Sequence, residues 1–129
     1  MIRQALLSCA AVAALALSAS AWSMHGTEGL KWGEAPPNVP KGAKLAVLQG
    51  DPGKAGPFTM RLSMHAGYKV APHWYTQAEN VTVLSGTFMV GMGEKVDTKA
   101  MKPFHAGDFG SIPGKQPHYA VAKTATVIQ

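Results

Sequence analysis

Between residues 73 and 118 the chain carries four side chains with the chemistry of a site. His73 and Tyr75 stand two apart in His73-Trp74-Tyr75, so in an extended strand the imidazole and the phenol project from one face and Trp74 from the other. Glu79 opens a β-branched run and shares its face with Val81 and Val83, which sends its carboxylate into an apolar interior. A buried carboxylate without a partner is costly and tends to take up a proton unless a cation, a hydrogen-bond donor or a metal compensates it. The pattern therefore demands a partner for Glu79. His118 begins a stretch in which Ala120 and Ala122 lie on its own side, and such small neighbours leave space beside the imidazole.

These residues must be held by strands. No window shows a 3.6-residue apolar period sustained over more than two turns, whereas short alternating or β-branched runs recur between turn signals. The pattern predicts strands at 44–48, 58–64, 79–84, 87–92, 108–112, 119–122 and 126–128, with Ser85-Gly86-Thr87 joining two of them as a hairpin. Phe58-Thr59-Met60-Arg61-Leu62-Ser63-Met64 alternates without a break, so one of its faces is buried. Strand pairs at this spacing build a sandwich or a barrel, and residues 43–129 form one all-β domain.

The arrangement resembles the cupin superfamily. A first cupin motif runs from a Gly through five residues to His-x-His, on to a Glu, and through six residues to another Gly. Here it reads from Gly67 through His73, Tyr75 and Glu79 to Gly86, with every spacing kept. The second motif, Gly through five residues to Pro and on to a His, corresponds to Gly107, Pro113 and His118. The resemblance implies a single-domain cupin β-barrel, a double-stranded β-helix or jelly roll, with a metal held by His73, Glu79 and His118. Three positions depart from the pattern: Tyr75 stands where the second His falls, Lys115 replaces a Gly, and Ala122 occupies a common Asn position. Two imidazoles and one carboxylate suit Fe(II), Mn(II), Zn(II) or Ni(II). A phenol with a pKa near 10 is a poor ligand for such ions, so Tyr75 is read as a proton donor, a hydrogen-bond donor or a weak fourth ligand. As an alternative, a Tyr75 hydroxyl bonded to Glu79 compensates the carboxylate without any metal.

The remainder of the chain bounds the setting. Met1-Ile2-Arg3-Gln4 carries one positive charge, residues 5–17 are apolar, and Ala19-Ser20-Ala21 has the small-x-small form of a cleavage site, so residues 1–21 read as a signal peptide. That places the mature chain in the periplasm or outside the cell, with no stable membrane span once the leader is removed. Cys9, the single cysteine, leaves with the leader, which excludes disulfides and thiol chemistry from the mature protein. Residues 22–42, with Ala35-Pro36-Pro37-Asn38-Val39-Pro40, read as an extended Pro/Gly-rich arm anchored by Trp22, Leu30 and Trp32 and able to lie along a barrel wall or across a partner. The net charge is +5, with lysines spread and without the clustered basic face of a nucleic-acid protein.

Among the remaining histidines, His65 reads as a turn or core residue and His105 as a solvated turn residue. Met60, Met64, Met89 and Met92 read as core.

The sequence thus predicts an exported barrel that holds one divalent ion and acts on or holds a small molecule beside Tyr75, Val81, Val83 and Ala120. If it is an enzyme, it is a metal-dependent oxygenase or isomerase. The alternative is a metal-free barrel that binds a small ligand or assembles, for instance as a homodimer through its arm.

Overall fold

The computed structural model describes Met24, Gly26, residues 28–35 and residues 39–129. The expected signal peptide at 1–21 lies outside the described residues, as do Trp22 and the Pro36-Pro37-Asn38 part of the arm. Among the described residues the regular structure is entirely β: β1 (Gly33–Glu34), β2 (Ala43–Gln49), β3 (Thr59–Met64), β4 (Lys69–His73), β5 (Glu79–Ser85), β6 (Thr87–Met92), β7 (Lys102–His105), β8 (Phe109–Ile112), β9 (His118–Ala122) and β10 (Thr126–Ile128). No helix among them is long and apolar enough to cross a membrane.

The strands form two antiparallel sheets, one ordered β1-β2-β3-β10-β5-β8 and the other β4-β9-β6-β7. Each strand turns its alternate residues inward. Leu62 and Met64 from β3, Val83 from β5, Phe88 from β6 and Ala120 and Ala122 from β9 meet in one core, with Ala43 and Tyr68 at its edge. Val83, Ala122 and Met64 in this core are each 2% exposed or less.

Several expectations are corrected. β5 and β6 do not form a hairpin: β5 pairs with β10 and β8, while β6 pairs with β9 and β7 in the other sheet. Ser85-Gly86 is instead the corner at which the chain changes sheets. Gly86 has φ +81°, and a Cβ there would stand 2.2 Å from the Ala125 carbonyl oxygen, so the corner admits only glycine without rearrangement. Three strands lie outside the expected set: β1 within the arm, and β4 and β7 at the edges of the smaller sheet, where Pro72 and Pro103 interrupt the apolar pattern. Of β4 only its end at His73 is expected to be extended, and the strand stops there instead of continuing to Tyr75. His105 therefore lies in a strand rather than a turn, though its side chain is solvated. Met92 is 53% exposed and contributes nothing to the core, unlike Met64. Within the arm, Gly33–Glu34 pairs along β2, while Trp32 remains 38% exposed and so is a weaker anchor than its size suggests.

Candidate metal centre

Three strand ends meet at one mouth of the sandwich. β4 ends on His73, β9 begins with His118 directly opposite it, and β5 begins with Glu79 in the facing sheet. One ligand atom from each of His73, Glu79 and His118 lies within 4.8 Å of the other two, and the two imidazole centroids are 4.2 Å apart.

The inward aim of His73 depends on an irregularity. Val70 faces the core opposite Ala120, and His73 is three residues further on, a spacing that in a regular strand would turn it outward. The register shifts between Val70 and His73, so the chain gains one residue through Ala71 and Pro72 and His73 comes to face His118. Pro72 supplies no amide to the ladder and is tolerated because β4 is an edge. Trp74 and Tyr75 lie beyond the end of β4. Even so, the Tyr75 ring packs edge-on against His73 at 5.3 Å between centroids and lies 6.4 Å from His118, while Trp74 is 54% exposed.

The backbone sets the tautomers. His73 Nδ1 is 2.8 Å from the Ala71 carbonyl oxygen and His118 Nδ1 is 3.0 Å from that of Gln116. A carbonyl only accepts, so each Nδ1 carries the proton and donates it, leaving both Nε2 lone pairs free in the neutral rings. His118 Nε2 stands 2.8 Å from Glu79 Oε2, a buried oxygen with no other hydrogen-bond partner. With His118 neutral, two lone pairs would face each other across that gap. Something positive belongs between them: a proton, making His118 an imidazolium, or a metal ion.

Without a metal, a proton in this place is favoured. Burial works against the charged ring, but the hydrogen bonds to Glu79 and to the Gln116 carbonyl, together with the Glu79 charge, outweigh it and raise the His118 pKa. Tyr75 is also raised, by burial and then by the Glu79 charge, which keeps it a neutral phenol able to donate. No hydrogen bond reaches Glu79 Oε2 from Tyr75, so the phenol does not compensate that oxygen.

The donor set fits a divalent ion. Ligand atoms at about 2.1 Å from an ion lie about 3.4 Å apart at the tetrahedral angle and about 4.2 Å apart when opposite each other, so a pair at the 4.8 Å limit here would draw in by about 0.6 to 1.4 Å through side-chain adjustment. Two oriented imidazoles and a carboxylate otherwise lacking a partner are the chemistry such an ion requires.

Two loops frame the mouth. Lys115 N donates to the Tyr75 carbonyl oxygen at 2.7 Å, and a Cβ on Gly114 would stand 2.6 Å from the Thr76 carbonyl oxygen, so residues 113–117 lie directly against residues 74–78. Lys115 has φ 63°, the left-handed conformation that favours glycine, at the position where the motif has one. Of the pocket residues expected from sequence, Val81 is half-buried beside Glu79, whereas Val83 and Ala120 are packed into the core. A cavity of about 240 Å³ opens instead on the rim, lined by Pro72, His73, Trp74, Glu94 and Pro117. Sequence reasoning did not reach Glu94, which enters from the β6–β7 loop without any local signal. Pro72 inside a strand was the available clue to the bulge.

No protein-family model matches the sequence, nor does any curated protein. The structure, in contrast, is similar to solved cupin-type proteins. KdgF from a Halomonas species is 18% identical with a TM-score of 0.62, over 85% of this chain and 90% of that one. An RmlC-like cupin from Shewanella frigidimarina is 18% identical with a TM-score of 0.63, over 84% of this chain and 86% of that one. A cupin superfamily protein from Desulfitobacterium hafniense is 13% identical with a TM-score of 0.57, over 67% and 72% of the two chains. At these identities the likeness concerns the fold.

Proposed function

We propose that this chain, which has the fold of the cupin superfamily, is an exported protein that holds one divalent ion through His73, Glu79 and His118 and presents it to a small molecule at the barrel mouth. The observation that carries the reading is the convergence of two carbonyl-oriented imidazoles on a buried carboxylate oxygen that has no partner except His118. When bound, the ion would supply a Lewis acid with coordination positions left open by a three-residue ligand set. The chain's own residues do the rest. Ala71 and Gln116 fix the ring orientations through their carbonyls, Tyr75 offers a neutral hydroxyl as hydrogen-bond or proton donor beside the ion, and the packed layer of Val83 and Ala120 closes the interior below it. The metals that suit these ligands are Fe, Mn, Zn and Ni in their divalent states. Export rests on the leader-like residues 1–21, and the mature protein would begin at Trp22 in the periplasm or outside the cell.

A second reading has its own support. The 2.8 Å contact between His118 and Glu79 can stand alone as an imidazolium–carboxylate pair, which suits a metal-free barrel that binds a small ligand or assembles as a homodimer. Titration of metal-free protein with Co(II), followed by visible absorption, separates the two. A spectrum that saturates at one equivalent and is lost in Glu79→Gln supports the metal reading, whereas an unchanged response in Glu79→Gln assigns any binding elsewhere. The mass of the protein recovered after export tests cleavage after Ala21.

A further inference from the structure

The rim cavity adjoins the ligand cluster through His73 yet owes nothing to a metal. It is lined by Pro72, Pro117, His73, Trp74 and Glu94, with no lysine or arginine among them, in a chain whose net charge is +5. Three separate segments build it: the end of β4 with Pro72, the loop after β6 with Glu94, and the approach to β9 with Pro117. The second and third are tied by Gly93 N donating to the Pro117 carbonyl oxygen at 2.8 Å, which fixes the Glu94 loop against the mouth.

Trp74 is 54% exposed, a large apolar surface left in water at the edge of a concave site. Glu94 forms no ion pair among the described residues. An aromatic residue and an acidic residue without an ion pair, lining one small cavity, suit one chemical class, an organic cation, which would gain from a negative ring face and a carboxylate together. The two prolines contribute rigid apolar walls with little side-chain entropy to lose. The volume, about 240 Å³ and open to solvent, is below the roughly 300–1,000 Å³ of sites for drug-sized ligands, which suits a small ammonium compound.

We infer that the cavity bounded by Pro72, Trp74, Glu94 and Pro117 is a binding site for a small organic cation, an amine or quaternary ammonium group, held at the rim beside the ion-binding cluster. The site does not depend on the metal reading, because Trp74 and Glu94 are not among the cluster's ligands.

The test uses choline against its neutral isostere 3,3-dimethylbutan-1-ol, titrated into chelator-treated protein and followed by NMR at the Trp74 indole N–H, assigned with Trp74→Phe. Choline should shift that resonance saturably and bind at least about fivefold more tightly than the isostere, the discrimination one cation–aromatic contact provides. Glu94→Gln should weaken choline while leaving the isostere unchanged, and Glu79→Gln, which disables the metal cluster alone, should leave choline binding intact. Equal binding of the two compounds, a response indifferent to Glu94→Gln, or no saturable shift would each overturn the inference. A failure of metal binding in the parent would not affect it.

Discussion

Gly91 to Ala is the substitution whose consequence follows most directly from the packing. A Cβ at position 91 would lie 2.3 Å from Cε2 and Cζ of Tyr119 and 2.6 Å from its hydroxyl oxygen, more than an ångström inside ordinary carbon contact. Tyr119 cannot move aside cheaply. It is 1% exposed, and its hydroxyl both accepts from Asp97 N at 2.8 Å and donates to Asp97 O at 3.1 Å. Overpacking of this kind costs about 1–3 kcal/mol, and loss of the two hydrogen bonds adds about 1 kcal/mol each. The expected destabilisation is therefore about 3–5 kcal/mol, a large part of the roughly 5–15 kcal/mol available to a domain. Tyr119 directly follows His118 in β9, so the displacement also reaches the ligand cluster. Urea denaturation followed by circular dichroism measures the first effect and Co(II) titration of the folded variant the second. A loss below about 1 kcal/mol would refute the claim that Gly91 is required by Tyr119, and unchanged Co(II) binding would refute the expectation that the displacement reaches His118.

Three further outcomes are expected. Lys115→Gly should stabilise the protein by up to about 1 kcal/mol, since it relieves a left-handed side chain on the mouth loop, and a shift in the urea midpoint reads this. Tyr75→Phe should change stability by less than about 0.5 kcal/mol, because the residue is 41% exposed and its hydroxyl does not hold Glu79 Oε2, and should leave metal stoichiometry intact. The pH dependences of the metal-free and metal-bound forms should run in opposite directions. The raised His118 pKa means that the metal-free protein has this stabilising contribution in full below the unfolded value of about 6.5 and loses it as pH rises through the folded value, whereas an ion requires neutral His118 and binds more weakly as pH falls through the same range. Thermal melts with and without one equivalent of Zn(II), from pH 5 to pH 8, show whether the two slopes differ in sign.

The inward positions of Glu79 and His118 were legible because alternation is local: each shares its face with apolar neighbours two residues away, and those neighbours are buried or half-buried. His73 and Tyr75 do come together, but not as neighbours on one strand face, since β4 ends at His73; the inward aim of His73 comes from the extra residue at Ala71-Pro72, which lies in the register with β9 and leaves only Pro72 as a trace. The corner at Ser85-Gly86 was misread for a related cause. A glycine with positive φ between two apolar runs serves a hairpin and a sheet change equally well, and only the non-local partners β10 and β8 distinguish them. β7, and the part of β4 before His73, carry little strand signal because edge strands tolerate proline and exposure, which weakens the alternation that reveals a strand. Glu94 belongs to the rim through loop geometry alone.

The metal content of untagged protein, purified without chelator and compared by elemental analysis with a His73→Ala/His118→Ala variant, tests the central claim most directly. About one divalent ion per chain in the parent and none in the variant is the expected result. No ion in either protein, even after exposure to Fe(II), Mn(II), Zn(II) and Ni(II), would contradict it and leave His118 and Glu79 as a proton-linked pair in a metal-free barrel.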